Sequence, residues 1–142
     1  MKILFLVHVE EIFRPYFPDS MYVNRLRRAM GLYDRIICLV SEVDDIHPIP
    51  EIVSSPHYYE QWQWGWGYEK EMFPEESEHE WIIATSSPHG WTWVPPELRD
   101  LKEWQKHEIL VGGGYSSECL QDFRDVLGYV GINYRLIDGY CY

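Results

Sequence analysis

Residues 2–9 read KILFLVHV, an apolar run broken only at Lys2 and His8. Such a run, without polar alternation, predicts a strand buried on both faces, as in a parallel sheet covered on each side. A loop with Pro15 and Pro18 follows, and then Tyr22, Val23, Leu26, Ala29 and Met30 recur at helical spacing. Asp19 or Ser20 offers an N-cap to that helix, and Gly31 stands near its end. DRIICLVS, residues 34–41, predicts a second buried strand. Strand, helix and strand in close succession make a βαβ unit.

The segment from Glu42 to Glu80 has four prolines, a Trp/Gly cluster and many acids, with no sustained period. It predicts an irregular excursion packed on the main body, with one short helix near residues 57–63. EWIIATSS, residues 80–87, predicts a third strand. Pro95-Pro96 suits the entry to a helix over 96–107, in which Leu98, Leu101 and Trp104 or Gln105 trace one face.

The last third is the most regular. HEILVGG, residues 107–113, predicts a fourth strand. Ser116 is placed to cap a helix whose core stripe is Leu120, Phe123, Val126, Leu127 and Val130, ended by Gly131. INYRLID, residues 132–138, predicts a fifth strand. Strands alternating with helices imply a single 142-residue α/β domain. The expected architecture is a Rossmann-like, three-layer α/β/α arrangement on a mainly parallel five-stranded sheet.

Composition narrows the function classes. The formal charge is −11, which disfavours contact with nucleic acid phosphates. Six glutamates between Glu69 and Glu80 form an acidic stretch, read as a solvated loop, with a surface for a basic partner as the alternative. No apolar run reaches membrane-spanning length, and the N-terminal run turns acidic without a cleavage site, so a cytoplasmic protein is expected. The three cysteines, Cys38, Cys119 and Cys141, suit neither a disulfide framework nor a zinc ladder. No cofactor is expected. Trp62, Trp64 and Trp66 alternate, which suits packing, a homodimer contact or the wall of a ring-binding pocket.

Ligands of open parallel sheets bind at the carboxyl ends of the strands. That rule collects His8 and Glu10 after the first strand, Thr85 and His89 after the third, Gly112 to Cys119 after the fourth, and Asp138 at the fifth. The glycines of VGGGYSSEC do not make a phosphate loop. A P-loop needs GxxxxGK[ST], a dinucleotide turn needs GxGxxG, and neither is present. Cys119 instead falls in the first turn of the last helix, where the helix end favours a thiolate and Glu118 opposes it. A small core residue is the other reading of the same position. His8 is the candidate base, Glu10 or Asp138 its orienting acid, and His89 a second candidate base. Backbone N–H groups of Tyr115 to Cys119 are candidates to hold an oxyanion, and Gly114, Tyr115, Ser116, Ser117, Thr85 and His89 are candidates to bind substrate. A metal site of His8, Glu10 and Asp138 is a distant alternative.

GGGYSSECLQDFRDVLGYVGINYRLID resembles the C-terminal signature of the isochorismatase-like cysteine hydrolases, a family that includes nicotinamidases. The match rests on Gly113, on Ser116 in place of a threonine three before the cysteine, on Cys119, on Gly131 twelve further on, and on Asp138. The resemblance implies hydrolysis of a small amide-type or ester-type substrate, with Cys119 as nucleophile. It departs from the family elsewhere. His8 stands where members carry an aspartate, and IIATSSPHGW holds no counterpart of their lysine. A relative that kept the fold and acts as a binding or inhibitory protein is therefore the alternative expectation.

Overall fold

The computed structural model describes residues 1–41, 49, 59–64, 66–67, 82–84, 91–93 and 101–142. The elements are β1 (Lys2–Val7), a 3-10 helix (Glu11–Tyr16), α1 (Tyr22–Met30), β2 (Arg35–Ser41), β3 (Tyr59–Trp64), β4 (Trp66–Gly67), β5 (Ile82–Ala84), β6 (Trp91–Trp93), α2 (Leu101–Trp104), β7 (Glu108–Gly113), α3 (Cys119–Val130) and β8 (Arg135–Cys141).

The chain has an α/β fold on a parallel sheet in the order β3-β2-β1-β7-β8. β1 is central because every one of Ile3 to Val7 is fully buried, which only a strand covered on both faces can be. Its side chains divide by parity. Ile3, Phe5 and Val7 join Trp104 of α2 and Leu120, Phe123, Val126 and Leu127 of α3 in one core. Leu4 and Leu6 join Tyr22, Val23 and Leu26 of α1 in the other. Phe5 anchors the first core, its ring 5.4 Å from Trp104 and 5.2 Å from Phe123.

Several elements differ from the sequence expectation. Residues 57–63 were expected to hold a helix, but Tyr59–Trp64 is a strand running parallel to β2. The Gln/Trp alternation is a strand period, and it outweighs the irregular surroundings. Of the strand expected over 80–87, Ile82–Ala84 is a strand that pairs antiparallel with β6 and not within the parallel sheet, and 80–81 and 85–87 lie outside the described residues; β4 joins the same small sheet. Of the helix expected over 96–107, Leu101–Trp104 is helical, and 94–100 lie outside the described residues.

The last strand is shifted by three residues. Gly131 ends α3 in the left-handed conformation, φ 83°, and the Ile132 N–H donates back to Leu127 O at 2.9 Å. Ile132 thus closes the helix instead of opening the strand. β8 begins at Arg135 and runs on to Cys141, with an irregularity between the residues facing Val111 and Gly113. Among the described residues no helix is long and apolar enough to cross a membrane.

Strand order reverses at the centre of the sheet. From β1 the chain builds outward through β2 and β3, and later it returns to the other side of β1 as β7 and β8. The carboxyl ends of β1 and β7 therefore flank the switch point, where such sheets form their ligand crevice. Those ends are His8 and Gly114.

Candidate functional site

The turn out of β7 is built by close approaches. Gly113 has φ 102°, and a Cβ there would sit 2.0 Å from Val7 O. A Cβ on Gly114 would lie 2.4 Å from the Tyr142 ring. The glycines let β7 exit tightly against β1 and β8, a packing need rather than a phosphate cradle. The Gly114 N–H donates to Val7 O at 2.9 Å, tying the loop to β1. The Gly114–Tyr115 peptide is cis.

Ser116 does not cap the following helix. Its N–H and its hydroxyl both donate to Tyr142 O, at 2.6 and 2.9 Å, and α3 starts three residues later with Glu118 at the N-cap position. The Glu118 and Leu120 N–H groups donate to Tyr115 O, at 3.1 and 2.9 Å. Cys119 still opens the helix, half-buried against the core beneath α3.

The thiol is not activated at rest. Burial, first, and then the carboxyl groups of Asp122 and Glu118 push Cys119 from an ordinary 9.0 up to about 12. The Tyr115 and Cys119 backbone N–H groups act on the sulfur in the opposite sense without reversing the balance. Of the two opposing influences read from the sequence, the helix end and Glu118, the acid prevails once burial and Asp122 are added. A partial charge at a helix end is a smaller effect than losing water and facing two acids.

At the end of β1, His8 is the one non-glycine residue with positive φ among the described residues, at 52°. Histidine is among the side chains enriched in this conformation, which costs roughly 1–2 kcal/mol for an L-residue. The neighbouring structure holds it there. The His8 N–H donates to Leu39 O at 3.0 Å, and the Tyr142 hydroxyl donates to His8 O. The ring is buried with Nδ1 3.4 Å from Glu10 Oε1, and it packs 4.7 Å from the Phe13 ring of the 3-10 helix. Glu10 is as buried as His8, both at 2 % exposure.

The structure brings Glu10, not Asp138, to the imidazole. Asp138 is exposed within β8, because that strand ends at Cys141 and places Tyr142 at the rim. Gly114 is buried, Tyr115 is half-buried, and Ser116 and Ser117 are exposed. Thr85 and His89 lie outside the described residues. Among the described residues no group of three or more His, Cys, Asp or Glu side chains is arranged to hold a metal ion, so His8, Glu10 and Asp138 do not form one.

Two site residues escaped sequence reasoning. Asp122, fully buried, stands three after Cys119 and so shares its side of α3. That spacing was visible, but the residue reads as an ordinary polar helix position. Tyr142 packs on Tyr115 at 5.5 Å and on Phe17 at 5.3 Å, while burial raises its hydroxyl above the ordinary tyrosine range. Only the corrected end of β8 brings it to the rim. Comparison with protein-family models, with curated proteins and with solved structures finds no match.

Proposed function

We propose that the chain is a compact, cytoplasmic relative of the isochorismatase-like cysteine hydrolases, a three-layer α/β/α domain on a five-stranded sheet. Its reaction is hydrolysis of a small amide or ester through Cys119. The observation that carries this reading is the grouping at the switch point. Cys119 opens the helix that follows β7, and the buried His8–Glu10 pair follows the adjoining β1.

The reaction uses a thiol that is neutral at rest. Glu10 faces His8 Nδ1 and orients the imidazole, which serves as the proton acceptor. As Sγ attacks the substrate carbonyl carbon, the thiol proton passes to the His8 imidazole. The oxyanion is received by the Tyr115 and Cys119 N–H groups. The tetrahedral adduct collapses, the C–N or C–O bond breaks, and His8 returns the proton to the leaving group. Water then hydrolyses the thioester, with His8 taking its proton and giving it back to sulfur. Glu10, Glu118 and Asp122 around this centre favour an uncharged substrate over an anionic one.

The experiment is turnover of a panel of small neutral amides and esters by the wild type and by Cys119→Ala. The hydrolase reading requires turnover that Cys119→Ala abolishes. Turnover retained in Cys119→Ala, or absent from the folded wild type across the panel, refutes it.

One observation favours a second reading, a non-catalytic relative that binds a protein partner through its acidic surface. Burial, Asp122 and Glu118 all disfavour the thiolate. Absence of turnover together with a Cys119 inert to acylation would select it.

A further inference from the structure

Tyr142 is the residue that joins the two halves of the site. Its hydroxyl donates to the His8 carbonyl at the end of β1. Its backbone N–H donates to Gly113 O at 3.0 Å, and its carbonyl accepts both Ser116 donors of the loop that leads to Cys119. Its ring fills the space beside Gly114 and meets Tyr115, Phe17 and Tyr22 edge-on. One side chain and its own backbone thus reach the base and the nucleophile loop together.

The hydrogen bond to His8 O falls where the backbone is least ordinary. At φ 52° the chain turns out of β1, and the direction of the His8 carbonyl follows from that turn. The same turn carries the imidazole to Glu10 and onto the Phe13 ring. A donor fixed on that carbonyl fixes the turn, and through it the ring.

We propose that Tyr142 is a positioning residue: its hydroxyl holds His8 in the left-handed turn that keeps the imidazole on Glu10 and in register with the loop bearing Cys119. Only the role of His8 in proton transfer rests on the hydrolase reading; the orientation of its ring does not. Burial keeps the Tyr142 hydroxyl protonated well into the alkaline range, so it remains a donor wherever the site works. The ring alone supplies packing, and the oxygen alone supplies the positioning.

Tyr142→Phe separates these roles, since it keeps the ring and removes the donor. The first readout is the NMR signal of the His8 ring, which carries a ring-current shift from Phe13. That shift is lost in Tyr142→Phe, while near-UV circular dichroism and the thermal midpoint stay close to wild type. The second readout is acylation of Cys119 by p-nitrophenyl acetate, which slows about tenfold in Tyr142→Phe, less than the ~10²–10⁴ that a whole general base contributes. In a His8→Ala background the same substitution slows it no further. A His8 signal unchanged in Tyr142→Phe overturns the proposal. If wild-type Cys119 does not acylate at all, the hydrolase reading fails, and the NMR readout still decides the positioning role.

Discussion

The ring of Tyr142 occupies the space that a side chain on Gly114 would need, with a Cβ at Gly114 falling 2.4 Å from Tyr142 Cε2. Glycine at 114 is therefore a condition for seating Tyr142 at the rim. Gly114→Ala is expected to destabilise the chain by about 1–3 kcal/mol, the usual cost of forcing atoms into a filled site. Gly128, in α3 with nothing within 4 Å of its added Cβ, is the control, and Gly128→Ala is expected to stabilise by about 0.5–1 kcal/mol. Urea unfolding of the two variants checks both signs.

The pH dependence of Cys119 alkylation tests the environment of the thiol. Burial, Asp122 and Glu118 raise it to about 12. Iodoacetamide is expected to react slowly near neutrality, with a rate that climbs toward that midpoint and no plateau near the ~8.5 of a free thiol. Glu118→Gln removes one of the two acids and should speed alkylation a few-fold at about pH 8. A plateau near the free-thiol value, or a slower Glu118→Gln, would contradict the assignment.

Stability should fall on the alkaline side. The folded-state pKa of Cys119 is raised from 9.0 to about 12, and burial also raises Tyr22 and Tyr142. Between the unfolded and folded values the native state binds more protons than the unfolded chain. The stabilisation is fully present below pH 9.0 and is lost as pH rises toward 12. Urea midpoints measured from about pH 8 upward should decline, and Cys119→Ser should flatten the decline, because a serine hydroxyl does not titrate there.

Phe123 is fully buried beside Phe5 at the base of α3. Phe123→Ala leaves a cavity under the helix that carries Cys119. A loss of about 3–5 kcal/mol in chemical unfolding is expected.

Much of the fold was legible because burial on both faces leaves an unambiguous mark. KILFLVHV and DRIICLVS could only be inner strands, and they are β1 and β2. The stripe of Leu120, Phe123, Val126 and Leu127 placed α3 within a few residues. The β3 strand was missed because its Trp/Gln alternation sits among prolines and acids that suggested a loop. The end of β8 was missed because Ile132 looks like a strand residue and instead closes a helix. That error hid Tyr142 and promoted Asp138. His8, Glu10 and Cys119 were legible from the rule about strand ends. The state of the thiol was not, since it depends on burial and on Asp122, which chain position alone does not reveal.

The most direct measurement of the central claim is the site of acyl transfer. Wild-type protein is incubated with p-nitrophenyl acetate, quenched in acid, and mapped by peptide mass spectrometry. A hydroxylamine-sensitive acetyl thioester is expected on Cys119, absent from Cys38 and Cys141, and formed more slowly in His8→Ala. No adduct on Cys119, or equal labelling of all three cysteines, would contradict it.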